Sequence, residues 1–264
     1  MKTNADRPIA PESKPGAQPA FRNGLKSSSS NSELQAFSKN IWIVNGPDVR
    51  DFGVMFTTRM VIVRLTDGSL WINSPVPVPF DTLKCITALG PVKFIVAATP
   101  RHVWRLQGPH ILFPDAQLWV PRTTLFTLKK SPLPLTGILT DIPYQGWAKD
   151  LDQIPFKGNP LIEEVLFFHK ESRTVILDDL IQIHPLVKGK FLRNALFKFE
   201  GVAFPYGGVA LDIRLSFTHR NLARRSLEKL LSWDFDKLII AHGVCIEKDA
   251  KRLVERAFRW LSRR

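Results

Sequence analysis

The sequence predicts a mixed α/β domain in which two β-sheets pack between layers of helices. Three observations carry this expectation. Short runs rich in β-branched and aromatic residues recur, as in Ile41-Trp42-Ile43-Val44, Met60 to Leu65, Ser69 to Asn73 and Phe94 to Ala97. Thr66-Asp67-Gly68 joins two of these runs as a hairpin, Asp-Gly supplying the positive φ that a tight turn needs. Strand and helix patterns then alternate to the end, the order expected of sheets covered by helices.

Taken in order, residues 1–33 are polar and rich in Pro, Ser and Lys, with Ser27 to Ser30 in a row. Such a segment buries too little apolar surface to offset ordering entropy, so a disordered tail is expected, followed by one domain over 34–264. Ser74-Pro75-Val76-Pro77-Val78-Pro79 interrupts the first strands. Asp81 is placed to cap a helix through Leu89, with Leu83, Ile86 and Leu89 at helical spacing and Gly90-Pro91 as the stop. The buried strand at Phe94 then turns into a helical stretch over Val103 to Phe113, and Gln117 to Val120 reads as a strand.

Lys129 to Gln153 is Pro-rich and reads as irregular apart from a short strand near Ile138. Glu164 to Phe168 and Thr174 to Leu177 form a hairpin pattern. Asp179 is placed to cap a helix near Leu180. Residues 186–217 give no clear period. Thr218 is placed to cap a helix to Ser232, followed by a strand at Lys237 to Ala241 and an amphipathic helix from Glu247 to Leu261.

The formal net charge is +13, and it is uneven. Residues 186–264 carry seventeen Lys/Arg against eight Asp/Glu, while residues 41–185 are nearly balanced at fourteen against thirteen. A basic surface on the C-terminal helices attracts nucleic acid or anionic membrane, or is simply solvated. No RNA-recognition motif, Gly-rich phosphate loop or zinc-finger spacing accompanies it. Cys85 and Cys245 are scattered and give no disulfide framework. No apolar run approaches the ~18 residues of a membrane span, and no secretory signal is expected. A cytoplasmic protein is expected, or an organellar one if the basic tail is a transit peptide, which Asp6 and Glu12 oppose. A Gly-x-Ser-x-Gly elbow is missing, so nucleophilic serine chemistry has no support.

The stretch Thr99-Pro100-Arg101-His102-Val103-Trp104-Arg105 resembles the Thr-His-x-His-x-Asp-His signature of the metallo-β-lactamase superfamily. Further cues in matching order are Asp67 to Pro75, Glu164 to His169, Leu177-Asp178-Asp179-Leu180 and Ile240-Ala241-His242-Gly243. Together they resemble an uncharacterised domain-of-unknown-function branch of that superfamily. The resemblance implies a four-layer αββα sandwich over roughly residues 34–262. It also implies where two metal ions would be held and which ligands are lost. Pro100, Trp104 and Arg105 stand at three ligand positions, and Asn159 stands at a fourth. His102, His242 and Asp179, or its neighbour Asp178, are retained. Proline has no donor atom, Trp donates only N–H, and a fixed guanidinium repels a dication.

Three functions follow as alternatives. The first is a protein that keeps the fold without the dinuclear centre or any cofactor. It would bind a small anionic ligand or a protein partner in the old pocket through Trp104, Arg105 and Asn159. The second is a hydrolase with a reduced site, catalytic through His102, Asp179 and His242, either metal-free or with one zinc or iron ion. In the resemblance His102 and His242 serve different ions, so one ion held by all three needs a shifted position. The third is a basic module for nucleic acid or anionic membrane.

Overall fold

A computed structural model describes residues 32–51, 54–128, 133–160 and 162–262. The expected disordered tail falls, as residues 1–31, outside the described residues. Seven strands form the first sheet in sequence order: β1 (Gln35–Ser38), β2 (Ile41–Asp51), β3 (Val54–Arg64), β4 (Leu70–Asn73), β5 (Val92–Val96), β6 (Gln117–Pro121) and β7 (Leu135–Leu139). From β1 to β4 the pairing is antiparallel, and from β4 to β7 it is parallel. The second sheet holds β8 (Leu151–Phe156), β9 (Glu164–His169), β10 (Thr174–Leu177) and β11 (Lys237–Ile240) in the order β11-β10-β9-β8. Its β10 and β11 run parallel, with Ile176 beside Ile239.

Side-chain alternation along these strands builds the layers. Val165 and Phe167 of β9, Ile176 and Ile239 face Val61, Val63, Trp71 and Phe94 of the first sheet. Their neighbours Leu166, Phe168, Val175 and Leu238 point the other way, into a core shared with helices. On the first sheet Met60 and Ile62 turn outward to meet Ile86 of α1 (Phe80–Leu89). Ile95 and Ala97 turn outward to meet Val103 and Leu106. Apolar residues therefore occupy both faces of the central strands, which is why those strands read as continuous apolar runs. Helices on both outer faces complete the αββα sandwich.

The far face of the second sheet is covered by α4 (Phe191–Phe199), α5 (Leu211–Ser216), α6 (Arg220–Ser232) and α7 (Ala250–Ala257), which contribute Phe197, Ile213, Leu230 and Leu253. The remaining short helices are α2 (Gln107–Leu112), α3 (Leu125–Leu128) and α8 (Arg259–Ser262). Among the described residues no helix is long and apolar enough to cross a membrane.

Several local expectations are corrected. The helical stretch after Phe94 is two elements, a 3-10 turn over Pro100–Arg105 and then α2. Pro100 opens the turn with its fixed φ, and the Thr99 side chain accepts from Arg101 N. Pro79, not Asp81, caps α1, and Asp81 lies in its first turn. His219, not Thr218, caps α6. Strand β8, which starts within the stretch read as irregular and runs past its end at Gln153, was not expected; it is an edge strand, where Pro155 removes no needed ladder bond. No helix begins at Leu180, so Asp179 caps nothing. The C-terminal helix breaks at Phe258 into α7 and α8.

The parallel strands β4, β5, β10 and β11 all end at one rim of the sandwich. Gly243, just after β11, has φ +109 and pairs with Ile183. A Cβ there would lie 1.9 Å from the Ile183 carbonyl oxygen. Gly243→Ala is therefore expected to lower stability by about 2–4 kcal/mol. Urea unfolding followed by tryptophan fluorescence measures this, and an unchanged midpoint contradicts it.

Candidate metal centre

Four strand ends bring the site together. Ser74 follows β4, His102 lies in the 3-10 turn after β5, Asp178 and Asp179 follow β10, and His242 follows β11. All five are nearly inaccessible to solvent. One potential ligand atom from each of His102, Asp179 and His242 lies within 4.8 Å of the others. The three candidates read from sequence thus converge.

Hydrogen bonds orient both imidazoles. His242 Nδ1 lies 2.6 Å from the Thr57 carbonyl oxygen. A carbonyl only accepts, so Nδ1 carries the proton and Nε2 is turned inward. That Nε2 lies 3.0 Å from Asp179 Oδ1. His102 Nδ1 lies 2.8 Å from Ser74 Oγ, and the Ser74 hydroxyl donates to Asp178 Oδ2. With its own hydrogen committed, Ser74 accepts from His102 Nδ1–H, and His102 Nε2 faces Asp179 Oδ1 at 3.6 Å. Two inward Nε2 atoms therefore address one carboxylate oxygen. Nitrogen lone pairs cannot face a carboxylate unless a positive charge, a proton or a metal ion, lies between them.

Asp179 is fixed at its other oxygen, where Thr99 Oγ1 donates to Oδ2 at 3.0 Å. Asn73 Nδ2 donates to Asp178 Oδ1 at 2.9 Å. Behind both, the buried Glu164 carboxylate accepts from the backbone N–H groups of Asp178, Asp179 and Leu180 at 2.6, 2.9 and 2.8 Å. Burial, with Asp178 and Asp179 beside it, pushes the Glu164 carboxyl well above its ordinary value, against the pull of those donors. Burial also raises Asp179, but His102, His242 and Arg101 outweigh it and hold that carboxyl below the usual carboxylate range. Arg59 Nη2 donates to the Gly243 carbonyl at 3.0 Å, and Nη1 donates to Ile240 O, so one guanidinium clamps the His242 loop.

A cavity of about 660 Å³ opens beside the cluster and is lined by His102, Asp179 and His242 together with Trp104 and Arg105. Arg105 is buried and its guanidinium lies over the Trp104 ring at 4.9 Å. Asn159 does not join these residues. It is absent from the cavity wall, and its amide donates to Ser216 Oγ at 2.6 Å while accepting from Ile162 N at 3.1 Å. The expectation that it helps bind a ligand is therefore corrected: it pins a loop between β8 and β9 to α5.

Sequence reasoning missed Ser74, Glu164 and Arg59. Glu164 did carry a signal, as a carboxylate opening an otherwise apolar strand. Arg59 and Ser74 gave none, because their partners lie 181 and 104 residues away.

Fold and site together define a metallo-β-lactamase-type αββα sandwich with its His/Asp cluster at the strand ends. The chain belongs to the family described as "Domain of unknown function (DUF4336)", which matches residues 39–188. A metallo-beta-lactamase from Pontibacter korlensis superposes with a TM-score of 0.55 at 11% identity, over 88% of this chain and 99% of that one. A metal-soaked Flv1 flavodiiron core from Synechocystis sp. PCC6803 gives 0.59 at 10% identity, over 87% and 61%. A flavoprotein from Thermotoga maritima gives 0.58 at 10% identity, over 93% and 62%. The chain thus spans under two thirds of the latter two. Such identities establish the fold alone. A search of curated proteins returns no match.

Behind the cavity wall lies a titration that the fold must accommodate. His184 is stacked on Phe197 at 4.1 Å and contacts Gln182 Oε1 through Nε2 at 2.8 Å. Burial first, then His242 and Arg193, push it down from 6.5 to about 3. Between those values the unfolded chain binds a proton that the folded chain refuses. Stability is therefore complete above about pH 6.5 and falls as pH drops toward 3. The urea midpoint is expected to be lower at pH ~4.5 than at pH ~7.5, with a shallower fall in His184→Phe. Equal midpoints contradict the assignment.

Proposed function

We propose that the protein is a single-metal member of this fold, a hydrolase with one divalent ion such as zinc or iron(II) held by His102, Asp179 and His242. One observation carries the reading. Both imidazoles have Nδ1–H engaged by an oxygen, and both present Nε2 to the same buried carboxylate oxygen. Metal-ligating histidines are oriented in this way, by a second hydrogen bond that fixes the tautomer. The donor set, two imidazoles and one carboxylate, suits zinc or iron and leaves further positions toward the cavity. The names of the fold neighbours, a metallo-beta-lactamase and a flavodiiron core, point the same way.

A second ion does not fit. Pro100 offers no donor, and Trp104 is half turned to solvent. The Arg105 charge acts on Asp178 and Asp179, where another dication would need them. When bound, a single ion supplies Lewis acidity and lowers the pKa of its water toward neutrality. The chain's own residues do the rest. Thr99 and the Glu164-braced loop hold Asp179 in place, Ser74 and Thr57 fix the imidazoles, and Trp104 and Arg105 face the ligand from the cavity wall.

A metal-free binding protein is the second reading, and the closed hydrogen-bond network favours it. A proton on either Nε2 satisfies Asp179 as well as a metal ion does. Metal analysis separates the two. The single-ion reading expects about one zinc or iron per chain, lost in His102→Ala and His242→Ala, with Ser74→Ala binding roughly 10–100-fold more weakly. Less than about 0.2 ion per chain after supplementation selects the metal-free reading, and about two ions overturns both.

A further inference from the structure

Arg105 is a buried group in the cavity wall whose chemistry the cluster does not use. Its side chain is 8% exposed, yet its guanidinium makes no hydrogen bond among the described residues, and Nη1 is buried without a partner. Its neighbours are the Trp104 ring and the more distant charges of Asp178 and Asp179, neither of which forms an ion pair with it. A desolvated guanidinium with open donors is expensive, because a buried donor left unmet loses its hydration without gaining a partner. An oxyanion, which matches the guanidinium fork, removes that cost.

Arg101, one turn earlier, lines the same cavity and makes no side-chain hydrogen bond among the described residues. Three carboxylates also line it, and each is engaged: Asp179 by Thr99 and His242, the other two by backbone. Glu200 Oε2 accepts from Leu211 N at 2.9 Å, and Asp212 Oδ1 accepts from Ile213 N at 2.7 Å. Apart from Arg50 and Gln182, the remaining wall is mostly apolar, with Val54, Phe56, Leu196 and Ile213. At about 660 Å³ the space suits a ligand of small-molecule size.

We infer that Arg105, with Arg101 beside it, receives the carboxylate or phosphate of an amphiphilic ligand whose apolar body lies against Phe56 and Ile213. The inference rests on reading this cavity as the ligand site and names the substrate class for it. Its binding step needs no ion. Trp104, 63% exposed at the mouth, holds the guanidinium by its ring face and offers a surface to the entering ligand.

Calorimetric titration of the full chain tests this, using octanoate, octyl phosphate and neutral 1-octanol against chelator-treated and zinc-supplemented protein. At least one anion is expected to bind about 10-fold more tightly than octanol in the chelated protein. Whichever anion wins identifies the head group. Arg105→Met keeps the apolar stem and is expected to weaken anion binding by about 10-fold or more while leaving octanol unchanged, and Arg105→Lys is expected to fall between. Arg101→Gln, at a less buried position, is expected to cost about threefold, and it carries the test if Arg105→Met does not fold. Octanol binding as tightly as both anions overturns the inference. So does wild-type anion affinity in a folded Arg105→Met, or in Arg101→Gln if Arg105→Met is unfolded. So does the absence of saturation by either anion. Arg105-dependent anion binding without metal uptake sinks the single-ion reading and leaves this one standing; metal uptake without anion binding does the reverse.

Discussion

Everything at the rim depends on one buried contact, Asp179 Oδ1 facing the Nε2 atoms of His102 and His242. A carboxylate so placed, away from water, survives only if its surroundings return what hydration gave. The structure does this in concentric fashion. Thr99 bonds the second oxygen, and His102, His242 and Arg101 hold the group ionised. The Glu164 carboxylate collects the backbone N–H groups of the Asp178–Leu180 loop, which no strand or helix would otherwise satisfy. A segment that forms neither strand nor helix can therefore be buried and rigid at the same time.

The same contact explains why the surrounding loops are so constrained. Ser74 sits at φ +52 so that its hydroxyl can bridge His102 and Asp178. Gly243 lies against Ile183 so that His242 Nδ1 can reach Thr57 while Arg59 clamps the carbonyl behind it. Strained or glycine-only positions cluster at sites that must be pre-set. Here they serve two imidazoles whose tautomers must agree.

The layered fold was legible in the sequence because burial on both faces leaves continuous apolar runs, and the strands of both sheets have them. The elements hidden from it were those whose local signals conflict with their place. Strand β8 carries Pro155, which only an edge position tolerates, and α4 exposes Phe191 and Leu192 at 81% and 90%, so its apolar residues follow no inward stripe. At the site His102, Asp179 and His242 were legible only through the resemblance carried by the motifs at the strand ends. Glu164, Arg59 and Ser74 were not, since their roles arise from partners brought in by the sheet topology. Asn159 misled because its chain position matched a ligand, whereas its side chain is spent on Ser216.

Charge balance bears on how many ions the rim could hold. The buried carboxyls Asp178, Asp179 and Glu164 are set against the buried guanidiniums Arg59 and Arg105. With neutral imidazoles and all three carboxyls ionised, the interior carries one net negative charge. Two dications would leave it strongly positive, which a dry interior does not tolerate. One dication leaves a single positive charge, and a monoanionic ligand beside Arg105 cancels it. On the proposed single-ion reading, the buried Arg105 is thus the charge that leaves the rim one anion short of neutrality.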